Sequence, residues 1–210
     1  NVRVDGAAHR AVRADGALHL DLAALGLGGR GGLADHVERQ LARERGRAGA
    51  KLWRGDVVGV ADYGMPSWKP RLHFANLEAG TVRSFLTAHG RGSDPEHDGW
   101  LKNFSNVPGS EATSRGAYLT CEWYKGKYGT SIRLVGLDND NSLALDRAIV
   151  MHSAWYVDQA MIDKWGKIGR SEGCFAIARA APGFVVEHAV ALLVIVGQAQ
   201  RIDLARGHPN

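Results

Sequence analysis

The feature that most constrains the fold is an abrupt change of pattern after Trp53. Downstream of it, short runs of β-branched and aromatic residues alternate with Gly, Asn, Asp and Pro, as in RLHFANLEAGTVRSFLTAHG and RGAYLTCEWYKGKYGTSIRLVGL. Runs and breaks of this kind are typical of strands joined by turns. Residues 53–210 are therefore predicted to form a β-rich domain.

Upstream of the change, the spacing of apolar residues is helical. Leu33, Val37 and Leu41 recur at i, i+4, i+8 and so share one face, while Arg and Glu fill the other. This pattern predicts one amphipathic helix from Leu33 to about Lys51. We expect residues 1–52 to form an arm whose helix packs on the core, which gives an α+β, β-rich fold.

Two connections within the β-rich part carry further expectations. The segment FANLEAGTVRSF predicts a hairpin with strands at 71–75 and 81–88 and a turn from Asn76 to Gly80. A long polar connection follows at residues 91–114, and because loops of this length are usually functional, we expect it to line a cleft.

Composition and charge exclude several classes of protein. The 45% hydrophobic and 23% charged residues are close to the average of globular proteins, and the longest apolar run, 189–197, is too short to span a bilayer. We therefore interpret this run as core and expect no stable membrane insertion. The net charge of +4 comes largely from residues 30–54, where acidic residues are interspersed, so a solvated helix is favoured over nucleic-acid binding.

Three motifs suggest cofactor or metal sites, and each fails its own requirements. Gly26, Gly28 and Gly31 have G-x-G-x-x-G spacing, but a Gly stands where a dinucleotide site needs an acidic residue. The segment 138–142, DNDNS, lacks the Gly and Glu of a calcium-binding EF-hand loop and predicts a turn. The nine histidines are scattered without zinc-site spacing. We expect no cofactor and no metal.

One cysteine lies in a setting that suits a nucleophile. Cys174 follows Gly173 in GRSEGCF, where a tight turn would let main-chain N–H groups hold an oxyanion, and His152 ends the apolar run RAIVMH. From the residues alone, the alternative that Cys174 is a buried structural thiol stays open. Cys121, in the nearly alternating run YLTCEWY, is interpreted as a buried thiol, and a disulfide between the two cysteines would abolish the chemistry.

Several ordered motifs carry a family resemblance. The segments HGRGSD, FSNVPGSEATSRGAY, YKGKYGTSIRLVGL, IVMHS and GRSEGC occur in this order over roughly residues 57–180. Together they resemble the YkuD-type L,D-transpeptidase catalytic domain, in its branch with an S-x-G-C core. The resemblance implies a mixed β-sheet, sandwich-like or barrel-like fold.

The resemblance also implies roles for particular residues. It implies that Cys174 is the nucleophile, that His152 is the base, and that the backbone carbonyl of Ser153 orients the imidazole. By the same resemblance, Gly173 belongs to the oxyanion hole and Ser171 braces the cysteine turn.

The motif differs from the usual family pattern at Glu172 and at Phe175–Ala176, so substrate contacts are less well defined. Arg170 is the candidate to hold a substrate carboxylate, with a structural ion pair as the alternative. His89 and Tyr118 are further candidates for substrate contact.

The resulting functional hypothesis is an extracytoplasmic cysteine acyltransferase that acts on peptidoglycan stem peptides, forms a thioester at Cys174 and releases D-alanine. Because the sequence starts at Asn1 without Met, we expect an export signal to have been removed and the protein to be periplasmic or otherwise extracytoplasmic. A hydrolase on the same scaffold, an L,D-carboxypeptidase or endopeptidase, and a non-catalytic wall-binding module remain as alternatives.

Overall fold

The computed structural model describes residues 11–12, 18–19, 57–76, 79, 81–179 and 193–197. Within them, the secondary structure consists of ten strands and one short α-helix, besides 3-10 turns. These elements are β1 (Ala11–Val12), β2 (Leu18–His19), β3 (Val57–Asp62), β4 (Leu72–Asn76), β5 (Thr81–Phe85), β6 (Gly116–Gly126), β7 (Gly129–Gly136), β8 (Val150–Ala154), α1 (Gln159–Trp165), β9 (Phe175–Ala178) and β10 (Leu193–Gly197).

Eight of the strands form one mixed sheet, in the order β5-β4-β3-β10-β6-β7-β8-β9. Two neighbouring pairs are parallel, β3 with β10 and β8 with β9, and the remaining pairs are antiparallel. The chain that follows β5 returns to the opposite edge, where Thr87 forms a bridge with Ile177. The sheet is therefore nearly closed into a barrel, and the expectation of a β-rich mixed fold is confirmed.

The hairpin expected from the sequence is present as β4 and β5, with Asn76 paired to Thr81. The Asn76 side chain closes the turn by accepting a hydrogen bond from the Ala79 N–H at 2.8 Å. A second hairpin joins β6 to β7 through Lys127 and Tyr128, between the paired residues Gly126 and Gly129. Gly129 has a φ of 80°, a conformation that favours glycine.

The inner face of the sheet forms the main core, because β-branched and aromatic side chains alternate inward along the strands. Its members on the site side of the barrel include Met151, Phe175 and Ile177, which pack with Ile132 and Tyr118. The apolar run near the C-terminus supplies the central strand β10, whose Val194 and Val196 side chains are buried. The interpretation of that run as core is therefore confirmed for Val194 and Val196.

A smaller apolar cluster lies on the other side of β8 and β9 and includes Ala154, Ala176, Val157 and Ile168. The segment that covers it contains α1. Asp158 caps the start of this helix, and its carboxylate accepts a hydrogen bond from the Ala160 N–H at 3.0 Å. Among the described helices, none is long and apolar enough to cross a bilayer.

The segment 91–114 is largely irregular and contains one short 3-10 turn, Arg91–Ser93. A second 3-10 turn, Asn139–Asn141, replaces the calcium loop considered above: the Asp138 carboxylate accepts from the Ala117 N–H at 2.7 Å and so fixes the start of β6.

Four features considered in the sequence lie outside the described residues. These are the amphipathic helix at 33–51, the glycine motif at 26–31, the basic stretch at 30–54 and the boundary between residues 52 and 53.

Candidate active site

Cys174 and His152 lie on the same face of the sheet. Strands β8 and β9 are parallel, and His152 is paired with Ala176. Cys174 is two residues before Ala176 and so projects to the side of His152, whereas Met151 and Phe175 project into the barrel core. The register thus places the two residues that the sequence singled out at neighbouring positions of this parallel strand pair.

The turn that carries Cys174 is shaped by Gly173. Its φ is 111°, and a Cβ at this position would lie 2.8 Å from the Ala112 carbonyl oxygen and 3.0 Å from Ile149 Cδ1. Both the backbone conformation and the close approach of the main chain at 112 require glycine. The polar connection 91–114 therefore forms one wall of the turn, as expected for a segment that lines the site.

Ser171 binds both sides of the same turn. Its hydroxyl donates to the Cys174 carbonyl at 2.7 Å and accepts from the Gly173 N–H at 3.2 Å. Thr113 adds a third contact from the wall, since its hydroxyl donates to the Gly173 carbonyl at 3.4 Å and accepts from the Gly90 N–H at 2.9 Å. The main chain around Cys174 is therefore held by side chains from two separate segments.

His152 is held in one orientation. Its Nδ1 lies 3.0 Å from the Ser153 carbonyl oxygen, and because a carbonyl only accepts, Nδ1 carries the proton and Nε2 is left as an acceptor. The Tyr128 ring stacks on the imidazole with a centroid distance of 4.4 Å and an interplanar angle of 24°. Burial lowers the pKa of His152, so the ring is neutral and Nε2 is available as a base at neutral pH.

The Cys174 side chain is a neutral thiol in this arrangement. Burial raises its pKa, and Glu172 raises it further, while the Val150 N–H and Arg147 act in the opposite direction. The thiol donates to the Ala148 carbonyl, with a sulfur–oxygen distance of 3.7 Å. Both cysteines are free, so the two do not form a disulfide with each other.

Cys121 is less buried than expected. It lies in β6 at the irregularity between Thr120 and Trp123, where its side chain is only partly covered. Burial still raises the pKa of its thiol, and Glu122 raises it further.

His89 is not a substrate contact, contrary to the expectation. Its ring is buried between Arg71 Nη2, at 2.8 Å from Nδ1, and Asp94 Oδ2, at 3.2 Å from Nε2. Because Arg71 only donates, Nδ1 is the acceptor and Nε2 carries the proton. Burial lowers the pKa of His89, and Arg71 lowers it further. The ring belongs to a chain of buried polar side chains beneath the site. The His89 carbonyl accepts a hydrogen bond from the Ser171 N–H at 2.9 Å.

Tyr118 is likewise too buried to be the substrate contact that was expected. Its side chain is fully buried and packs edge-on against Phe175, with ring centroids 5.4 Å apart. The hydroxyl is satisfied by Ser114, whose own hydroxyl is 2.6 Å away and whose carbonyl accepts from it at 2.8 Å. Tyr118 therefore stabilises the core beneath the cysteine turn.

Arg170 contacts main-chain carbonyls. Its Nη1 donates to the carbonyls of Asp94 and Pro95, the latter at 3.1 Å. The alternative of an ion pair with an acidic side chain is thus replaced by bonds to backbone oxygens, which tie the lead-in of the cysteine turn to the segment 91–114.

Glu172 projects outward next to the nucleophile candidate. Its side chain is 71% exposed and lies 3.5 Å from Arg91, which also binds Glu111 on the wall. This residue, where the sequence departs from the family pattern, places a carboxylate at the mouth of the site.

Sequence reasoning missed three residues around the site: Tyr128, Arg147 and Tyr156. Tyr128 stacks on His152, and Arg147 binds the wall segment. The backbone of Tyr156 is bound by the Gly169 N–H at 2.9 Å, and its pKa is raised by burial and by the nearby Cys174. The signals available were a tyrosine at a hairpin tip, and an arginine and an aromatic pair on either side of the histidine strand.

Among the described residues, no group of three or more His, Cys, Asp and Glu side chains could hold a metal ion. The arrangement therefore offers a thiol, a base of fixed tautomer and main-chain donors. Such a set can perform covalent acyl transfer.

Several solved structures are similar to the chain at low identity. They include an L,D-transpeptidase from Mycobacterium smegmatis, at 15% identity, with 68% of this chain and 58% of that chain covered and a TM-score of 0.41. Another is an L,D-transpeptidase from Mycobacterium tuberculosis H37Rv, at 17% identity, with 68% and 58% covered and a TM-score of 0.39. A third is the helical cell shape determining protein Pgp2 from Campylobacter jejuni, at 13% identity, with 78% and 57% covered and a TM-score of 0.42.

In each of these cases, the match spans less than two thirds of the other protein. No curated protein matches the chain. The family model of the L,D-transpeptidase catalytic domain matches residues 38–191, which is most of the sequence and includes His152 and Cys174. The chain belongs to the L,D-transpeptidase catalytic domain family.

Proposed function

We propose that this chain is a cysteine acyltransferase that acts on peptidoglycan stem peptides, with Cys174 as nucleophile and His152 as base. The observation that supports the proposal is the parallel register of β8 and β9, in which His152, a histidine of fixed tautomer, pairs with the residue two positions after Cys174. Membership of the L,D-transpeptidase family supports the substrate class. Because that substrate lies in the cell wall, the proposed location is extracytoplasmic.

The first half of the reaction forms a thioester. His152 Nε2 takes the thiol proton, and the Cys174 sulfur attacks the carbonyl carbon between a diamino acid and the terminal D-alanine. The carbonyl oxygen becomes an oxyanion, and the main-chain N–H of Cys174 and, on release from Ser171, that of Gly173 are the donors proposed for it. The carbon–nitrogen bond then breaks, and the imidazolium returns the proton to the amine of D-alanine.

The second half regenerates the thiol. An acceptor amine attacks the thioester carbonyl while His152 takes a proton from it, and the new amide forms as the carbon–sulfur bond breaks. The proton on His152 passes to the sulfur. With water as the acceptor, the same sequence of steps would give hydrolysis, so the acceptor decides between a transferase and a hydrolase.

The resting geometry indicates how the pair is activated. The thiol points to the Ala148 carbonyl, and burial keeps both Cys174 and His152 neutral. A rotation about the Cα–Cβ bond of Cys174 is the movement proposed to turn the thiol toward Nε2. Proton transfer then accompanies attack, and the sulfur is protected from unspecific electrophiles between turnovers.

The test is acylation of Cys174. A carbapenem should add once per chain in the wild-type protein and in Cys121→Ala, and not in Cys174→Ala, as measured by intact mass. With purified muropeptides and an amine acceptor, we expect cross-linked products that mass spectrometry can identify. Products that consist only of hydrolysed stems would refute the transferase, and absence of any acylation would indicate a non-catalytic wall-binding module.

A further inference from the structure

One charged side chain close to the nucleophile has no role in the steps above. Arg147 precedes β8 and is half-buried, and each of its two terminal nitrogens donates two hydrogen bonds. Nη1 donates to the Ser105 carbonyl at 2.9 Å and to the Ser114 hydroxyl at 3.4 Å. Nη2 donates to the Ala112 carbonyl at 2.6 Å and to the Ser110 hydroxyl at 3.3 Å. All four acceptors belong to the wall segment, residues 105–114.

The wall segment in turn defines the cysteine turn. The Ala112 carbonyl that accepts from Arg147 is the same oxygen that would lie 2.8 Å from a Cβ on Gly173. The next residue, Thr113, donates to the Gly173 carbonyl. A shift of the segment would therefore change the position of the main chain just before Cys174. The planar, four-point fork of a guanidinium is suited to fixing several acceptors at once.

Arg147 also adjoins the residue that binds the thiol. Its neighbour Ala148 has a φ of 53°, unusual for a residue with a side chain, and its carbonyl accepts the hydrogen bond from Cys174. The Arg147 N–H donates to the Leu143 carbonyl at 2.9 Å, which anchors this stretch of chain. One arginine thus connects the wall on one side of the thiol with the thiol's acceptor on the other.

Among the described residues, no carboxylate neutralises the charge of Arg147. Within the part of the chain that the structure describes, its partners are carbonyls and hydroxyls, and none of the ion pairs includes it. Burial lowers the pKa of Arg147, and the proximity of Cys174 and Tyr118 raises it. The same proximity acts on the thiol in the direction that favours the thiolate.

We propose that Arg147 is a positioning residue for the nucleophile: it holds the wall against Gly173 and stabilises the thiolate of Cys174 as the thiol loses its proton. This inference rests on the proposed role of Cys174. It adds a cationic partner that neither the cysteine motif nor the histidine motif contains.

The test reads the thiol directly. In a Cys121→Ala background, the rate of Cys174 alkylation by iodoacetamide is measured against pH. Arg147→Gln should move the midpoint of this profile upward, because a nearby positive charge is lost. Arg115→Gln is the matched control. It removes an exposed arginine that directly follows residues 105–114 and is ion-paired with Asp140, and it should leave the midpoint unchanged.

Two further variants separate charge from position. Ser110→Asp places a carboxylate against the intact guanidinium and should raise the midpoint as well, which keeps the test valid even where Arg147→Gln does not fold. Arg147→Lys keeps the charge and loses the fork, so the midpoint should stay while carbapenem acylation slows by roughly tenfold or more. Thermal unfolding confirms that each variant is folded.

An unchanged midpoint in both Arg147→Gln and Ser110→Asp would overturn the electrostatic role, and wild-type acylation by Arg147→Lys would overturn the positioning role. The proposed function fails separately. If the alkylation profiles of the wild type and the variants are as expected but the wild type forms no acyl-enzyme, acyl transfer is refuted and the role of Arg147 is supported.

Discussion

Replacing Gly173 by alanine is the most direct test of the geometry of the cysteine turn. The φ of 111° is a conformation in which a residue with a side chain is strained by about 1–3 kcal/mol. The added Cβ would also lie 2.8 Å from the Ala112 carbonyl oxygen and 3.0 Å from Ile149 Cδ1. Overpacking of this kind costs about 1–3 kcal/mol more. We therefore expect Gly173→Ala to lower the free energy of unfolding by about 3 kcal/mol.

Gly166→Ala is the matched control for this variant. Gly166 ends α1 with a φ of 71°, and a Cβ there would meet no atom within 4 Å. Its substitution carries only the conformational strain and should cost about 1 kcal/mol. The difference between the two variants, about 2 kcal/mol, isolates the close approach of the wall at residue 112.

Urea unfolding gives both free energies, and carbapenem acylation followed by intact mass gives the rate at Cys174. Gly173→Ala should also acylate at least about 100-fold more slowly, because the sulfur and the main-chain donors move together with the turn. Equal destabilisation of the two variants, with wild-type acylation of Gly173→Ala, would refute the requirement for glycine at this position.

Two further predictions concern the histidines. Burial lowers the pKa of His89 from 6.5, so below about pH 6.5 the unfolded chain binds a proton that the folded chain refuses. The stability that the neutral His89 ring contributes is present above this pH and is lost as the pH falls. The free energy of unfolding of the wild type, measured in urea, should therefore fall more steeply between pH 6.5 and 4 than that of His89→Gln. Parallel curves would contradict the assignment. For His152, loss of the stacked ring in Tyr128→Ala should slow acylation severalfold while Tyr128→Phe keeps it, with little change in unfolding because Tyr128 is 46% exposed. Equal rates for the two variants would show that the stack does not orient the base.

The strands were predictable because their side-chain alternation and turn residues are local signals. The hairpin of β4 and β5 follows directly from FANLEAGTVRSF, and the apolar run 193–197 could be placed in the core from its composition. The pairing order could not be predicted, because it depends on contacts between distant segments. The central position of β10, between β3 and β6, is such a case.

For the candidate site, the ordered motifs pointed to Cys174 and His152, and the structure places both on one face of the sheet. The misassignment of His89 and Tyr118 has a physical cause. A polar side chain looks exposed in a sequence until its partners are known, and the partners of His89 are Arg71 and Asp94, which come from other segments. Arg147 was missed for the same reason, since its acceptors lie 33–42 residues away along the chain.

The closure of the barrel has a consequence for how the site comes into existence. The contacts that join the two edges of the sheet, such as the hydrogen bond from the Thr87 hydroxyl to the Ala176 carbonyl, connect residues 89 positions apart. A second contact between the same two segments, the bridge of Gly90 with Ser171, holds the lead-in of the cysteine turn. Loop closure over such distances is completed only when most of the sheet is assembled. The cysteine turn is thus a product of cooperative folding, and acylation of Cys174, the proposed nucleophile, would report on the integrity of the whole barrel.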